Sequence, residues 1–133
     1  MKIKMRSRVT RSSMEIFPNI PVMLFQNSLR EQLIGCKSVL DIGCGDNSPL
    51  SFIDLPYVEG FDGYRPAIKK ALKRKTHDKI TYGNVTKLSH SFKSKSFDCC
   101  VALDVIEHLN KKQGLRLIED MQKIAKKKII FFT

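Results

Sequence analysis

The sequence predicts an α/β fold: a doubly wound, mostly parallel sheet of five strands with helices on both faces. Three observations lead there. Short apolar runs bounded by glycine or charge recur at 38–42, 57–61, 79–82, 97–103 and 128–132. Such unbroken runs suit strands buried on both faces. Stretches with helical spacing of apolar residues lie between them, and strand–helix alternation implies parallel crossover units. The first strand also runs directly into a turn with two glycines, Gly43 and Gly45.

In chain order, residues 1–13 carry five bases and no acid and read as a flexible basic arm, leaving 14–133 as the domain. Pro18 and Pro21 mark a turn. Val22, Leu24, Phe25, Leu29 and Leu33 follow at helical spacing, and Gly35 ends that helix. Ser48 and Pro49 offer an N-cap and a first-turn proline, so a helix is expected to begin there. Pro66 opens a basic helix to about residue 75 with Ile68 and Leu72 turned inward. Residues 86–96 read as polar loop. The last helix spans 111–126, with Leu117, Ile118, Met121, Ile124 and Ala125 as its inner stripe and Gly114 weakening its first turn.

The chain has 133 residues, 42% hydrophobic, enough for a real core in one domain. No apolar run approaches the roughly 18 residues of a membrane span. The N-terminal residues show no signal-peptide pattern, so a cytoplasmic protein is expected. Cys36, Cys44, Cys99 and Cys100 form no C-x-x-C pair and no zinc-type cluster, and read as buried thiols in a reducing compartment. The net charge of +11 is unevenly spread: residues 65–79 hold seven bases against Asp78, while 36–64 hold five acids against Lys37. A basic surface attracts nucleic acid, anionic membranes or acidic substrates, but a charge run more often marks a solvated helix face.

Ligands of such sheets bind beyond the carboxyl ends of the strands, next to the turn at 43–45. Asp62 lies 21 residues after Asp41, at the end of the next strand, where an acid accepts ribose hydroxyls; an acid at a helix N-terminus would sit in the same place. The turn speaks against a dinucleotide. G-C-G-D-N-S-P lacks the third glycine of G-x-G-x-x-G, and Asp41 and Asp46 put carboxylates where a pyrophosphate would lie. A ligand with positive sulfonium and ammonium groups fits better.

These segments together resemble class I S-adenosylmethionine-dependent methyltransferases. V-L-D-I-G-C-G at 39–45 is similar to their first motif and E-G-F-D at 59–62 to their second. Y-G-N-V at 82–85 stands where the family often has G-D-A. S-F-D-C-C-V-A-L-D-V-I-E-H-L at 96–109 resembles the fourth-strand motif of the small-molecule, or type 11, branch. The resemblance implies a Rossmann-like fold and S-adenosylmethionine as cofactor. By position, Gly43, Cys44 and Gly45 line the methionine part, with Asp41 near its amino group. Asp62 and Gly63 face the ribose, Asn84 and Val85 the adenine, and Leu103 and Asp104 the methionine end. Where the family commonly has Asp at position 84, Asn84 is expected to accept through its carbonyl.

The expected activity is methyl transfer to a small-molecule acceptor. The alternative is a cofactor-binding or partner-dependent module without catalysis of its own, associating with nucleic acid through its basic surface. Methyl transfer demands positioning rather than a visible catalytic residue. His108 is the one candidate base, and Glu107 and His108 alone do not complete a metal site. D-V-I-E replaces the D/N-P-P-[YF] element of amino-methylating DNA enzymes, and the Pro-Cys nucleophile of cytosine C5 methylation is absent. The resemblance further implies a domain cut short, lacking the usual last two strands. Its fifth strand is then an open apolar edge, expected to pair with a second copy or a partner.

Overall fold

The computed structural model describes residues 20–133, and side chains from residue 23 onward; the basic arm at 1–13 lies outside the described residues. Five strands, β1 (Ser38–Ile42), β2 (Tyr57–Asp62), β3 (Lys79–Tyr82), β4 (Phe97–Leu103) and β5 (Ala125–Phe132), form one sheet in the order β3-β2-β1-β4-β5. Every neighbouring pair is parallel. The chain winds from β1 outward to β3, then crosses back to β4 and on to β5. The order reverses between β1 and β4, and the carboxyl ends of these strands flank a crevice there.

The helices are α1 (Ile20–Gln32), α2 (Arg65–Arg74) and α3 (Lys111–Ile124). The apolar runs of β1 and β4 bury alternate residues on opposite faces. Val39, Val58, Cys99 and Val101 pack with Leu29, Leu33, Leu50 and Ile53 on one side. Leu40, Ile42, Phe61, Cys100 and Ala102 meet Leu88, Leu117, Met121 and Ile124 on the other. Fully burying each such side chain stabilises the fold by roughly 1.5–3 kcal/mol. Helix α3 opens on a capping box, with Asn110 accepting from the Gln113 N–H at 2.8 Å and Gln113 returning to the Asn110 N–H at 3.1 Å. Gly114 is there because α3 lies close to the turn before it: a Cβ would come within 3.3 Å of Ile106.

Several expectations are corrected. Ser48 does cap and Pro49 does open a turn, but it is a 3-10 turn of four residues, Pro49–Phe52, and not a helix. Leu50 and Ile53 fill the space against the sheet that a longer helix would cover. Residues 86–96 are not all loop, since Val85–His90 forms a kinked 3-10 turn that buries Leu88. Leu72 is 58% exposed because the short α2 rests on the sheet through Ala71. Helix α3 passes into β5 without a loop, so β5 begins at Ala125, three residues before the apolar run.

The cysteines are corrected as well. Cys36, just after α1, and Cys99 of β4 are joined in a disulfide with Cα atoms 6.2 Å apart, while Cys44 and Cys100 are free and buried. Sixty-three residues separate the bonded pair, so spacing gave no hint of it. In the chain-entropy account, closing a loop of that size restricts the unfolded chain by about 4 kcal/mol. Burial pushes the Cys100 thiol up to about 12, which leaves it unreactive.

Asp98 fixes the register of β1 against β4. It accepts the Lys37 N–H at 2.8 Å, its own N–H donates to Ser38 Oγ at 2.9 Å, and Lys127 Nζ lies 3.9 Å away. The Lys37 hydrogen bond, helped by the nearby lysines, holds the Asp98 carboxyl below its usual value.

Two outcomes follow from this packing. Unfolded without reductant, two of the four cysteines should react with a thiol reagent, and all four after reduction; four at the first step would refute the bond. Because the folded pKa of Asp98 is depressed, its ionised form stabilises the fold fully above about pH 4 and progressively less below it. Asp98→Asn should therefore lower the urea midpoint at pH 7 and approach the parent at pH 3, whereas a pH-independent difference would mean that the charge contributes nothing.

Candidate functional site

Two clefts open at the carboxyl ends of the strands. One, of about 240 Å³, is lined by residues of the turn at 43–49 together with Phe25, Asp41, Leu103 and Asp104. The other, of about 400 Å³, is lined by Asp62, Gly63, Tyr64, Tyr82, Gly83, Asn84 and Val85. A hydrogen bond from the Gly45 N–H to Asp62 Oδ2, at 2.8 Å, links the two. All ten residues singled out from the sequence therefore line one cleft or the other.

The turn is shaped by backbone bonds to β2. The N–H groups of Gly43 and Cys44 donate to the Phe61 carbonyl at 2.7 and 3.2 Å, and the Gly45 N–H donates to Asp62. Three successive N–H groups thus point into the protein. Gly43 has φ +67 and Gly45 φ +58, the left-handed region where a Cβ is strained. At Gly43 a Cβ would also meet Val105 Cγ2 at 2.5 Å; at Gly45 it would meet nothing within 4 Å. Gly43 is therefore fixed by close packing, and Gly45 by its conformation alone.

Asp41 lies beneath this turn, 2% exposed. Its Oδ2 accepts the Ser48 hydroxyl and His77 Nε2, the latter at 2.7 Å, and His77 Nδ1 is 2.7 Å from Thr76 Oγ1. Asp41 thus ties the end of β1 to the 3-10 turn and to the segment entering β3. A buried carboxylate is tolerable only when hydrogen bonded, and Ser48 and His77 meet that need. Neither partner was recognised in the sequence. Ser48 looked like a helix cap, and His77 has no neighbouring motif to mark it.

Asp62 is also braced by backbone groups, with Oδ1 accepting the Tyr64 N–H at 2.8 Å as Oδ2 accepts Gly45. Each oxygen keeps a further acceptor position. Asn84 differs from the expectation. Its Oδ1 accepts both the Thr86 N–H at 2.9 Å and the Thr86 hydroxyl at 2.7 Å, which caps the following turn. The carbonyl assigned to a ligand is thus already engaged. Asp104 is exposed, adopts φ +56 and donates its N–H to the Phe132 carbonyl at 2.8 Å. Aspartate is among the side chains most tolerant of that conformation. The Cys44 thiol is pushed well up by burial and by the charges of Asp41 and Asp62, so it is no nucleophile.

Phe25, Tyr64 and Tyr82 also border the clefts and escaped the sequence reading. Phe25 packs on Phe132 with ring centroids 4.4 Å apart, and the Arg65 guanidinium sits 3.8 Å over the Tyr82 ring. Glu107 and His108 line neither cleft; they approach each other at 3.9 Å on the surface.

Gly43→Ala should destabilise the protein by about 1–3 kcal/mol, from overpacking against Val105 and from left-handed strain. The same change at Gly45 should involve the strain alone and be milder. Equal thermal midpoints for the two variants would contradict this division.

Comparison with known proteins bears on what the clefts belong to. A family model described as a methyltransferase domain matches residues 40–132. No curated protein matches the sequence. Among solved structures, the fold is similar to a Pyrococcus horikoshii OT3 protein at TM-score 0.70 and 21% identity, over 94% of this chain and 63% of that one. It is similar to the magnesium protoporphyrin IX methyltransferase of Synechocystis PCC 6803 with bound SAH at TM-score 0.69 and 18% identity, over 84% of this chain and 55% of that one. A SAM dependent methyltransferase from Archaeoglobus fulgidus aligns at TM-score 0.62 and 23% identity, over 79% and 48%. The chain thus spans between 48% and 63% of the length of these three. The matched segment takes in β1 from its third residue, β2 to β5, the glycine turn and every lining residue of the two clefts except Phe25, and on that match the chain belongs to the methyltransferase domain family.

Proposed function

We propose that the chain binds S-adenosylmethionine across its two clefts and transfers the methyl group to a small-molecule acceptor. The observation that carries this reading is the electrostatic character of the glycine turn. A pyrophosphate needs free N–H groups at such a turn, yet those of residues 43–45 are all turned inward. The smaller cleft instead is lined by Asp41, Asp46 and Asp104; Lys70 Nζ lies 3.9 Å from the Asp46 carboxylate and Arg74 donates to the Asp46 carbonyl at 3.0 Å, which leaves Asp41 and Asp104 without a lysine or arginine partner among the described residues. That suits a sulfonium and an ammonium group, and it repels an anion.

Each residue then has a definite task. Asp41 Oδ1 has no partner among the described residues and is the oxygen available to the cofactor's ammonium group. Asp62, held by the Gly45 and Tyr64 N–H groups, keeps acceptor positions for the ribose hydroxyls. Gly63, Asn84 and Val85 border the base, and Cys44, Leu103 and Asp104 the methionine end. When bound, the cofactor supplies an activated methyl and its leaving group. Phe25 and Leu103 supply apolar surface beside the turn, which favours a small acceptor with an apolar body over a polyanion.

The alternative, a module acting through a partner, draws on α2. Arg65, Lys69, Lys70, Lys73, Arg74 and Lys75 are all exposed there, with Leu72 among them. Nucleic acid bound to that face would dissociate as salt rises. The outer edge of β5 carries no strand among the described residues, and pairing with a second copy or a partner would satisfy it. No described helix is long and apolar enough to cross a membrane. We place the protein in the cytoplasm, where burial of Cys36 and Cys99 at 4% and 0% exposure would shield their bond from reduction.

Calorimetric titration with S-adenosylmethionine tests the reading. Saturable binding is expected in the wild type, weakened at least about tenfold, or roughly 1.4 kcal/mol, in Asp62→Ala through loss of charge-assisted hydrogen bonds. No binding at millimolar ligand would sink it.

A further inference from the structure

The larger cleft ends at Asn84, whose side chain has two separable ends. Its Oδ1 accepts the Thr86 N–H at 2.9 Å and the Thr86 hydroxyl at 2.7 Å. An amide oxygen has two lone pairs, so its capacity is filled. The orientation of the amide is also fixed, because a backbone N–H can only donate and therefore holds the oxygen, not the nitrogen, against Thr86. The Nδ2 group has no partner among the described residues, and Asn84 is exposed at the cleft it lines. Asn84 thus offers that cleft two hydrogen-bond donors and no acceptor.

We propose that Asn84 is a specificity-determining donor that recognises an acceptor nitrogen of the cofactor's base and is unable to pair with an exocyclic amino group. This rests on the reading that the cleft takes an S-adenosyl compound. Adenine carries an amino donor at position 6 beside an acceptor nitrogen at position 1; unsubstituted purine keeps that acceptor and lacks only the amino donor. A side chain with a free acceptor would favour adenine, because burying an unpaired polar group is what makes such sites discriminate. A side chain that only donates gives adenine no such advantage. The site should therefore accept the 6-deamino analogue about as well as the 6-amino compound.

The test is the ratio of affinities for S-adenosylhomocysteine and its 6-deamino (purine riboside) analogue, measured by calorimetry on the full chain. The wild type should bind the two within about threefold of each other. Asn84→Asp keeps one oxygen to cap Thr86 and gains a second as acceptor, so it should prefer the adenosyl compound by at least about tenfold. Thr86→Val keeps the backbone cap and removes the hydroxyl, returning one acceptor position to Asn84, and should shift the ratio the same way by less. A wild type that already prefers the adenosyl compound tenfold, or ratios that neither substitution moves, would overturn the assignment while leaving the cofactor site intact. Failure of the wild type to bind either compound would overturn the cofactor reading, and this proposal with it.

Discussion

The buried carboxylate of Asp41 is the constraint on which the cleft end of this molecule depends. It lies at the end of the central strand, at 2% exposure, and must be hydrogen bonded to be tolerated there. Ser48 and His77 come from two different connections, and both converge on the same oxygen. The carboxylate therefore sets the path of the glycine turn, the position of the 3-10 turn after it and the entry into β3. A single charge organises three segments because the low-dielectric interior makes leaving it unpaired so unfavourable.

The second organising element is the set of N–H groups at the turn. Bonds from Gly43 and Cys44 to Phe61, and from Gly45 to Asp62, couple β1 to β2 just where the sheet opens. They rigidify the turn and remove the donors that an anionic ligand would use. Polarity and rigidity at this site thus have one cause. With Asp46 and Asp104 nearby, the smaller cleft is acidic although the chain as a whole carries +11. The bases of α2 reach it only at its rim, where Lys70 and Arg74 meet Asp46.

The connection between β1 and β2 is unusually economical. Four residues of 3-10 turn stand where a crossover helix is expected, and Leu50 and Ile53 join Leu29 and Leu33 of α1 in the packing on that face. On the opposite face, α3 and Leu88 cover the same strands. Both layers bury alternate residues of β1 and β4. The Cys36–Cys99 bond lies in the layer that holds α1, between the end of that helix and β4.

By itself the sequence determined the strands and their parallel class, and it pointed to residues that line the two clefts. β1 and β4 are bounded as their apolar runs are, since continuous burial on both faces leaves its mark residue by residue; β3 has its expected bounds too, though at the sheet edge none of its residues is buried. The glycines at 43 and 45 and the acids at 41 and 62 were legible because each is required by its own backbone position. Tertiary structure decided the partners. His77 reaches Asp41 across 36 positions and Cys36 reaches Cys99 across 63, with no local pattern to announce either. Thr86 turned Asn84 from an expected acceptor into a donor, because a hydrogen-bond capacity can be counted only when every neighbour is known. Local periodicity records what a residue must bury; it does not record which distant group will meet it.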